Sequence, residues 1–215
     1  MGGPRPSGGP PPSLLVACAL GIEQFALRSG PRGGGPVTVL RTGMGPKAAE
    51  TALGRALARE ETRGAAVVAS GFCAGLASGM HPGDLVVAEE TRSVHGTTAC
   101  DGVSVLVDAV SRLFPGRTVH TGPLTGSDHV VRGAERAALA ATGAIAVDME
   151  SAATLSTALR HGPRPVAAVR VVVDAPEHEL VRVATVRGGI SAFRVLRAVL
   201  PAFHEWHRSL LLPRR

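Results

Sequence analysis

Two short segments late in the chain each end a run of small apolar and β-branched residues in carboxylates. One reads AIAVDMESAA over 144–153 and supplies Asp148 and Glu150; the other reads VAAVRVVVDAPEH over 166–178 and supplies Asp174. Buried strands of an α/β protein read as such apolar runs, and ligands of these folds gather beyond the carboxyl ends of the strands. Carboxylates placed there accept hydrogen bonds from hydroxyls or move protons, which points to an enzyme. Asp174 follows Val171-Val172-Val173 out of an apolar strand, where a half-buried carboxyl can hold a proton near neutrality. The same position equally suits an aspartate that only caps a turn. Glu150 likewise fits an acidic residue meeting the dipole of a helix start, and Glu23, just after the first apolar run, has the same plain option.

Three glycine-bearing segments follow strand-like runs: Gly43-Met44-Gly45, Gly71 to Gly75 and Gly122 to Gly126. Glycine lets backbone approach a ligand and admits positive φ. None has dinucleotide or P-loop spacing, so each alone reads first as a tight turn and second as a ligand cradle.

Positioning these residues requires an alternation of strands and helices. LLVACAL (14–20) reads as a first buried strand, and PVTVLRTGMG as a second, ending in glycines. Residues 47–61 read as a helix, AAVVAS (65–70) as a third strand running into GFCAGLASG, and DLVVAEE (84–90) as a fourth after the turn residues Pro82 and Gly83. Residues 102–113 are expected to be helical, GRTVHTGPLTG to carry a strand and a glycine-marked loop, and 131–142 to be helical. A strand at 144–148 feeds a helix from about 150, and a strand at 166–173 precedes a polar loop. Such alternation predicts an α/β sandwich with a central, mostly parallel sheet. Residues 1–13 read as a disordered lead-in and 14–212 as a single domain. The last segment is a helix candidate with Phe193, Leu196, Leu200, Phe203 and Leu210 on or near one face, bent by Pro201. Packing on the sheet accounts for that face; its basic character also admits transient contact with an anionic membrane surface.

Composition narrows the function classes. Aromatics are 3% of the chain and Tyr is absent, so the stacking platforms of a nucleic-acid binder are missing, and the arginines behind the net charge of +6 are scattered. No nucleic-acid partner is expected. Cys18, Cys73 and Cys100 lack metal-site spacing and are odd in number, so neither a metal nor a disulfide framework is expected. The N-terminus MGGPRPSGGPPP lacks the apolar core of a signal peptide. No apolar run reaches the roughly 20 residues of a spanning helix, so a cytoplasmic protein is expected.

Taken in order, GMG (43–45), SGFCAGL (70–76), PGDLVVAEE (82–90), AVDMES (146–151) and AVRVVVD (168–174) resemble the nucleoside phosphorylase and nucleosidase superfamily. The likeness runs from about residue 14 to 200, and is greatest to the hopanoid-associated phosphorylases, with methylthioadenosine/adenosylhomocysteine nucleosidases near. It implies a three-layer α/β/α sandwich with a central mixed sheet, and cleavage of the N-glycosidic bond of a 5′-substituted adenosine. The substrate so implied is adenosylhopane, releasing adenine in hopanoid biosynthesis. The alternatives are a methylthioadenosine/adenosylhomocysteine nucleosidase, a phosphate-dependent purine nucleoside phosphorylase, or a non-catalytic nucleoside-binding protein.

Carried onto this chain, the resemblance gives Asp174 the purine N7, Glu150 the ribose hydroxyls, Met149 the sugar face and Glu23 the attacking water. Phe72, Cys73 and Ala74 would line the site, with Ser127, His129 and Val130 approaching the base. Gly43, Gly45 and Arg41 are the candidates for holding phosphate, should phosphate be a co-substrate; Arg28 and Arg92 could add charge. Glu23 near that position favours water. No cofactor is implied, and a homo-oligomer is. The chain departs from the nucleosidase pattern at Val173, where Ser or Thr is expected before the aspartate, at Phe72 and Cys73, where small residues are expected, at Ala74, where glycine is expected, and at His129, where an aromatic ring is expected.

Overall fold

The computed structural model describes residues 13–32, 34–174 and 184–211, the side chains of 184–188 excepted. Residues 1–12 of the expected lead-in, the polar loop after 174 and the Pro-Arg-Arg end lie outside them. Among the described residues, eight strands and seven α-helices follow in the order β1 (Leu14–Cys18), α1 (Gly21–Ser29), β2 (Val37–Arg41), α2 (Pro46–Leu57), β3 (Ala66–Gly75), β4 (Leu85–Ser93), β5 (Gly96–Ala99), α3 (Val103–Leu113), β6 (Val119–Gly126), α4 (Ala134–Ala141), β7 (Ala146–Asp148), α5 (Ser151–Arg160), β8 (Val166–Asp174), α6 (Ala184–Ala198) and α7 (Leu200–Leu211).

The strands form one mixed sheet in the order β2-β1-β3-β7-β6-β4-β5, with β8 pairing both β3 and β4. β8 runs parallel to β3 and antiparallel to β4, β6 is parallel to β4 and to β7, and β7 returns antiparallel to β3. The pairings β3-β8-β4-β6-β7-β3 therefore close a ring. Its closure brings the last residues of β3, β7 and β8 to one mouth.

Two-residue alternation along the strands builds both layers. Leu14, Val16, Val68, Val87, Val169 and Val171 face a core shared with α1, α3, α6 and α7. Leu15, Ala17, Val67, Val86, Ala168 and Val172 face α2 and α5. The result is the expected three-layer α/β/α sandwich. Within α2, Pro46 stands in the first turn, where its missing N–H leaves no bond unmade, and Ala49, Leu53, Ala56 and Leu57 form the buried face.

The terminal segment folds as α6 and α7, interrupted just before Pro201. Leu196, Leu200, Phe203 and Trp206 are buried against the first core, and Phe193 stacks on Phe25 at 6.2 Å between ring centroids. Among the described residues no helix is long and apolar enough to cross a membrane. Cys18, Cys73 and Cys100 are free thiols.

Two segments read as glycine loops are strand. β3 continues through Gly75 because its second half pairs with β8 and then β7, and β6 continues through Gly126 because it pairs with β4 and β7. The glycines serve side-chain packing inside the sheet. A Cβ at Gly71 (φ +141°) would sit 2.5 Å from Glu23 Oε1 and 2.8 Å from Arg170 Nη1. Helix α1 and strand β5 have no counterpart in the sequence reading.

Candidate active site

Helix α1 carries Glu23 into the mouth of the ring. Ala26 and Leu27 anchor the helix in the core, and Glu23, three and four positions earlier, shares that inward face at 2% exposure. Its Oε2 accepts the N–H groups of Ala19 at 2.9 Å and Leu20 at 2.8 Å, and its Oε1 accepts that of Phe72 at 2.7 Å. The carboxylate is thus immobilised between the end of β1 and the middle of β3.

The junction of β7 and α5 supplies the second carboxylate. Asp148 Oδ1 accepts the N–H groups of Glu150 at 3.2 Å and Ser151 at 3.0 Å, which fixes the start of α5. Glu150, held there, accepts the Gly45 N–H on Oε1 at 2.8 Å. Burial pushes the Glu150 carboxyl up from its ordinary value, against the pull of Arg170 and the Gly45 N–H.

Beneath both lies Arg170, in the middle of β8 and 1% exposed. Its Nε lies 2.6 Å from Asp148 Oδ2 and donates to Ser151 Oγ at 2.8 Å, while Nη1 donates to the Ser70 carbonyl at 3.3 Å. Burial works against the charge on Arg170, but Asp148, Glu150 and Glu23 outweigh it and hold the guanidinium protonated.

At the end of β8, Asp174 Oδ2 accepts from Arg136 Nη1 at 3.0 Å, and Arg136 Nη2 donates to the Gly75 carbonyl at 2.8 Å. The register slips between Cys73 and Ala74, so that Cys73 faces Val172 while Ala74 faces Asp174. Val173 is the extra residue of a bulge, a device that re-aims side chains.

A cavity of about 250 Å³ gathers most of the expected residues. Glu23, Glu150 and Asp174 all line it, as do Met149, Phe72, Cys73 and Ala74. His129 and Val130 border it from the loop after β6. Burial pushes the Cys73 thiol up, leaving it neutral wall. His129 is exposed, with Nδ1 at 2.7 Å from Asp128 and Nε2 at 3.0 Å from Glu135, and those two carboxylates raise its pKa. Met149 and His129 also border an adjoining cavity of about 860 Å³, where Ser127 lies.

The candidates for phosphate are not brought together in this way. The Gly45 N–H is engaged by Glu150, that of Gly43 by the Ala19 carbonyl at 3.2 Å, and Arg41 borders neither cavity. Arg28 donates to the Val39 carbonyl, and Arg92 pairs with Glu90. No cluster of His, Cys, Asp and Glu able to hold a metal occurs among the described residues.

Arg170 and Arg136 escaped the sequence reading. Arg170 left a signal, since a cation inside VAAVRVVVD can be buried only with a carboxylate beside it. Arg136 left a weaker one, its helical spacing to Leu139 and Ala140, which pack on the small core cluster around Val131 and Val147.

Comparison with known proteins defines the class. The phosphorylase superfamily model matches residues 21–201, and the chain belongs to that family, as an enzyme of the nucleoside phosphorylase and nucleosidase class that cleaves N-glycosidic bonds. Among solved structures it is similar to the 5′-methylthioadenosine/S-adenosylhomocysteine nucleosidase of Neisseria meningitidis, at 20% identity and TM-score 0.72, covering 92% of this chain and 99% of that one. The Streptococcus pneumoniae nucleosidase of the same description aligns at 18% identity and TM-score 0.70, covering 89% and 99%. A futalosine hydrolase of Helicobacter pylori aligns at 14% identity and TM-score 0.72, covering 90% and 98%. No curated protein sequence matches the chain.

These findings correct the expected placement among the hopanoid-associated phosphorylases: the likeness is to methylthioadenosine/adenosylhomocysteine and futalosine nucleosidases. The residues behind that expectation form strand ends and carboxylate anchors, which do not discriminate branches. Phe72 packs partly against the core, and the apolar face of α7 is inside it.

Proposed function

We propose that the protein is a nucleosidase that uses water to cleave a 5′-substituted adenosine and release adenine. One observation carries this reading. Glu23, Glu150 and Asp174, drawn from α1, the β7–α5 junction and β8, line a single cavity with apolar Met149, Phe72, Val130 and Val173 between them.

Each carboxylate meets a different demand of the reaction. Breaking the glycosidic bond places positive charge on the sugar and negative charge on the departing purine. Asp174 serves N7 of the base, where proton donation contributes about 10²–10⁴-fold. Glu150 accepts from the ribose hydroxyls and fixes C1′ for attack. Glu23, held by three backbone N–H groups, orients the water and faces the developing cation without reorganising. The engaged amides of Gly43 and Gly45, and a cavity lining that does not include Arg41, support water over phosphate. The 5′ substituent would leave the small cavity past Met149 and His129 into the larger one, which they also border.

Base release from methylthioadenosine and adenosylhomocysteine, each with and without phosphate, tests the reading. Phosphate-independent release of adenine with a free ribosyl product is expected. A strict phosphate requirement with a ribose-1-phosphate product would overturn hydrolysis, and binding without release under either condition would overturn catalysis.

A further inference from the structure

We infer that Arg136 is a positioning residue for Asp174, its guanidinium fixing that carboxylate toward the base before a substrate arrives. The inference rests on the reading of Asp174 as the group that serves the purine.

Arg136 lies near the start of α4 and is 7% exposed. It ties the end of β3, which pairs with β7, to the end of β8, which the bulge shifts in register against β3. Nη2 grips the last carbonyl of β3 at Gly75, and Nη1 grips Asp174 on β8. The bulge at Val173 breaks the register between these strands one residue before Asp174, and the Val173 side chain offers no hydrogen bond. A side chain from outside the sheet thus sets the direction of the carboxylate.

A purely structural account of Arg136 is weak on energetic grounds. Taking a guanidinium out of water is costly, and apolar replacement of buried ion pairs is often neutral or stabilising. The neighbouring cluster of Leu76, Val131, Ala144 and Val147 would accept an apolar side chain. Moreover, Arg136 Nε has no hydrogen-bond partner among the described residues, so the guanidinium is not placed to saturate its own donors. Its geometry serves the two acceptors it reaches.

The charge acts in the same direction as the orientation. Around the cavity Glu23, Asp148 and Glu150 lie on the α1 and α5 side, Cys73 on β3, and His129 with Asp128 and Glu135 on the loop and α4. Asp148 is matched by Arg170, and Glu23 is bound by backbone donors. Arg136 is in direct contact with Asp174, so its charge and its hydrogen bond act on the same carboxylate oxygen and aim the group at the base.

The test compares Arg136→Met, Arg136→Lys, Asp174→Asn and the Arg136→Met/Asp174→Asn double variant in base release, with circular dichroism to confirm folding. For folded Arg136→Met, kcat should fall about 10- to 100-fold with KM within about threefold, since misplacing a reacting group by about 1 Å can cost about 10²-fold. Arg136→Lys should lie between. The limb of the pH–rate profile that depends on Asp174 should move to higher pH in Arg136→Met, whichever protonation state is active, because the lost cation no longer opposes protonation. In the double variant the two losses should not multiply. Wild-type kcat and profile in folded Arg136→Met, or losses that multiply, would overturn the positioning role. Should Arg136→Met not fold, the profile of Arg136→Lys decides, an unmoved limb with full kcat overturning it. Asp174→Asn with wild-type turnover would instead remove the underlying role of Asp174, an outcome separable from the others.

Discussion

Arg170 Nε lies 2.6 Å from Asp148 Oδ2, with both side chains almost wholly withdrawn from water. The pair joins β8 to the β7–α5 junction, and through the Asp148 contacts with the Glu150 and Ser151 amides it sets where Glu150 emerges. Glu23 and Arg170 also converge on the space that a side chain at Gly71 would need. One buried cation therefore underlies Glu23 and Glu150, two of the four carboxylates that line the cavity.

Removing that cation should destabilise the fold strongly. Arg170→Met leaves Asp148 buried without its countercharge, and breaking a buried pair from one side costs about 3–5 kcal/mol. Urea unfolding should show the midpoint falling by that equivalent with an unchanged slope. A loss under about 1 kcal/mol would mean that Asp148 is compensated by other groups.

Gly71→Ala should injure activity beyond its effect on stability. The φ of +141° is strained for any L side chain, and a Cβ would meet Glu23 Oε1 at 2.5 Å. Such backbone strain costs about 1–3 kcal/mol, and the carboxylate must move away from the Phe72 N–H that holds it. The expected outcome is a folded protein with a lower melting temperature and kcat reduced by about tenfold or more. Unchanged kcat would separate Glu23 from the chemical step.

The layers of the fold were legible because the near-continuous apolar runs LLVAC and VAAVRVVV mark strands buried on both faces. The three carboxylates were legible because each ends or follows such a run. Three things were less so. Helix α1 follows β1 after a two-residue turn, and its inward face includes Glu23 itself, so apolar periodicity understates it. β3 from Gly71 and β6 from Gly122 look like loops because those two glycines make room for Glu23, Arg170 and Ile145, a need visible only once the ring is closed. Arg136 resembles any helix-surface arginine until α4 is docked. Substrate branch is the least legible, since the motif residues build the sheet ends and carboxylate anchors, while the wider cavity that would receive the 5′ substituent is bordered by the unremarked β4–β5 turn at 93–98.

Glu150→Gln should change both pH dependence and sugar recognition. Burial raises the Glu150 pKa in the folded state above its ordinary value of 4.5, so the folded protein binds this proton more tightly than the unfolded chain does. The stabilisation linked to that proton is complete below about pH 4.5 and is lost as pH rises through the folded-state value. Glutamine cannot ionise, so the stability of the variant relative to the wild type should climb across that window and level off above it. Thermal unfolding at a series of pH values measures the difference; a flat difference would show that burial of Glu150 carries no net proton linkage. The variant keeps an acceptor for the Gly45 N–H, so the fold should persist. A neutral acceptor binds hydroxyls more weakly than a carboxylate, by about 1 kcal/mol or more per bond. Preference for ribose over 2′-deoxyribose substrates in kcat/KM should therefore shrink by roughly tenfold. Equal discrimination in wild type and Glu150→Gln would place the ribose hydroxyls on another group.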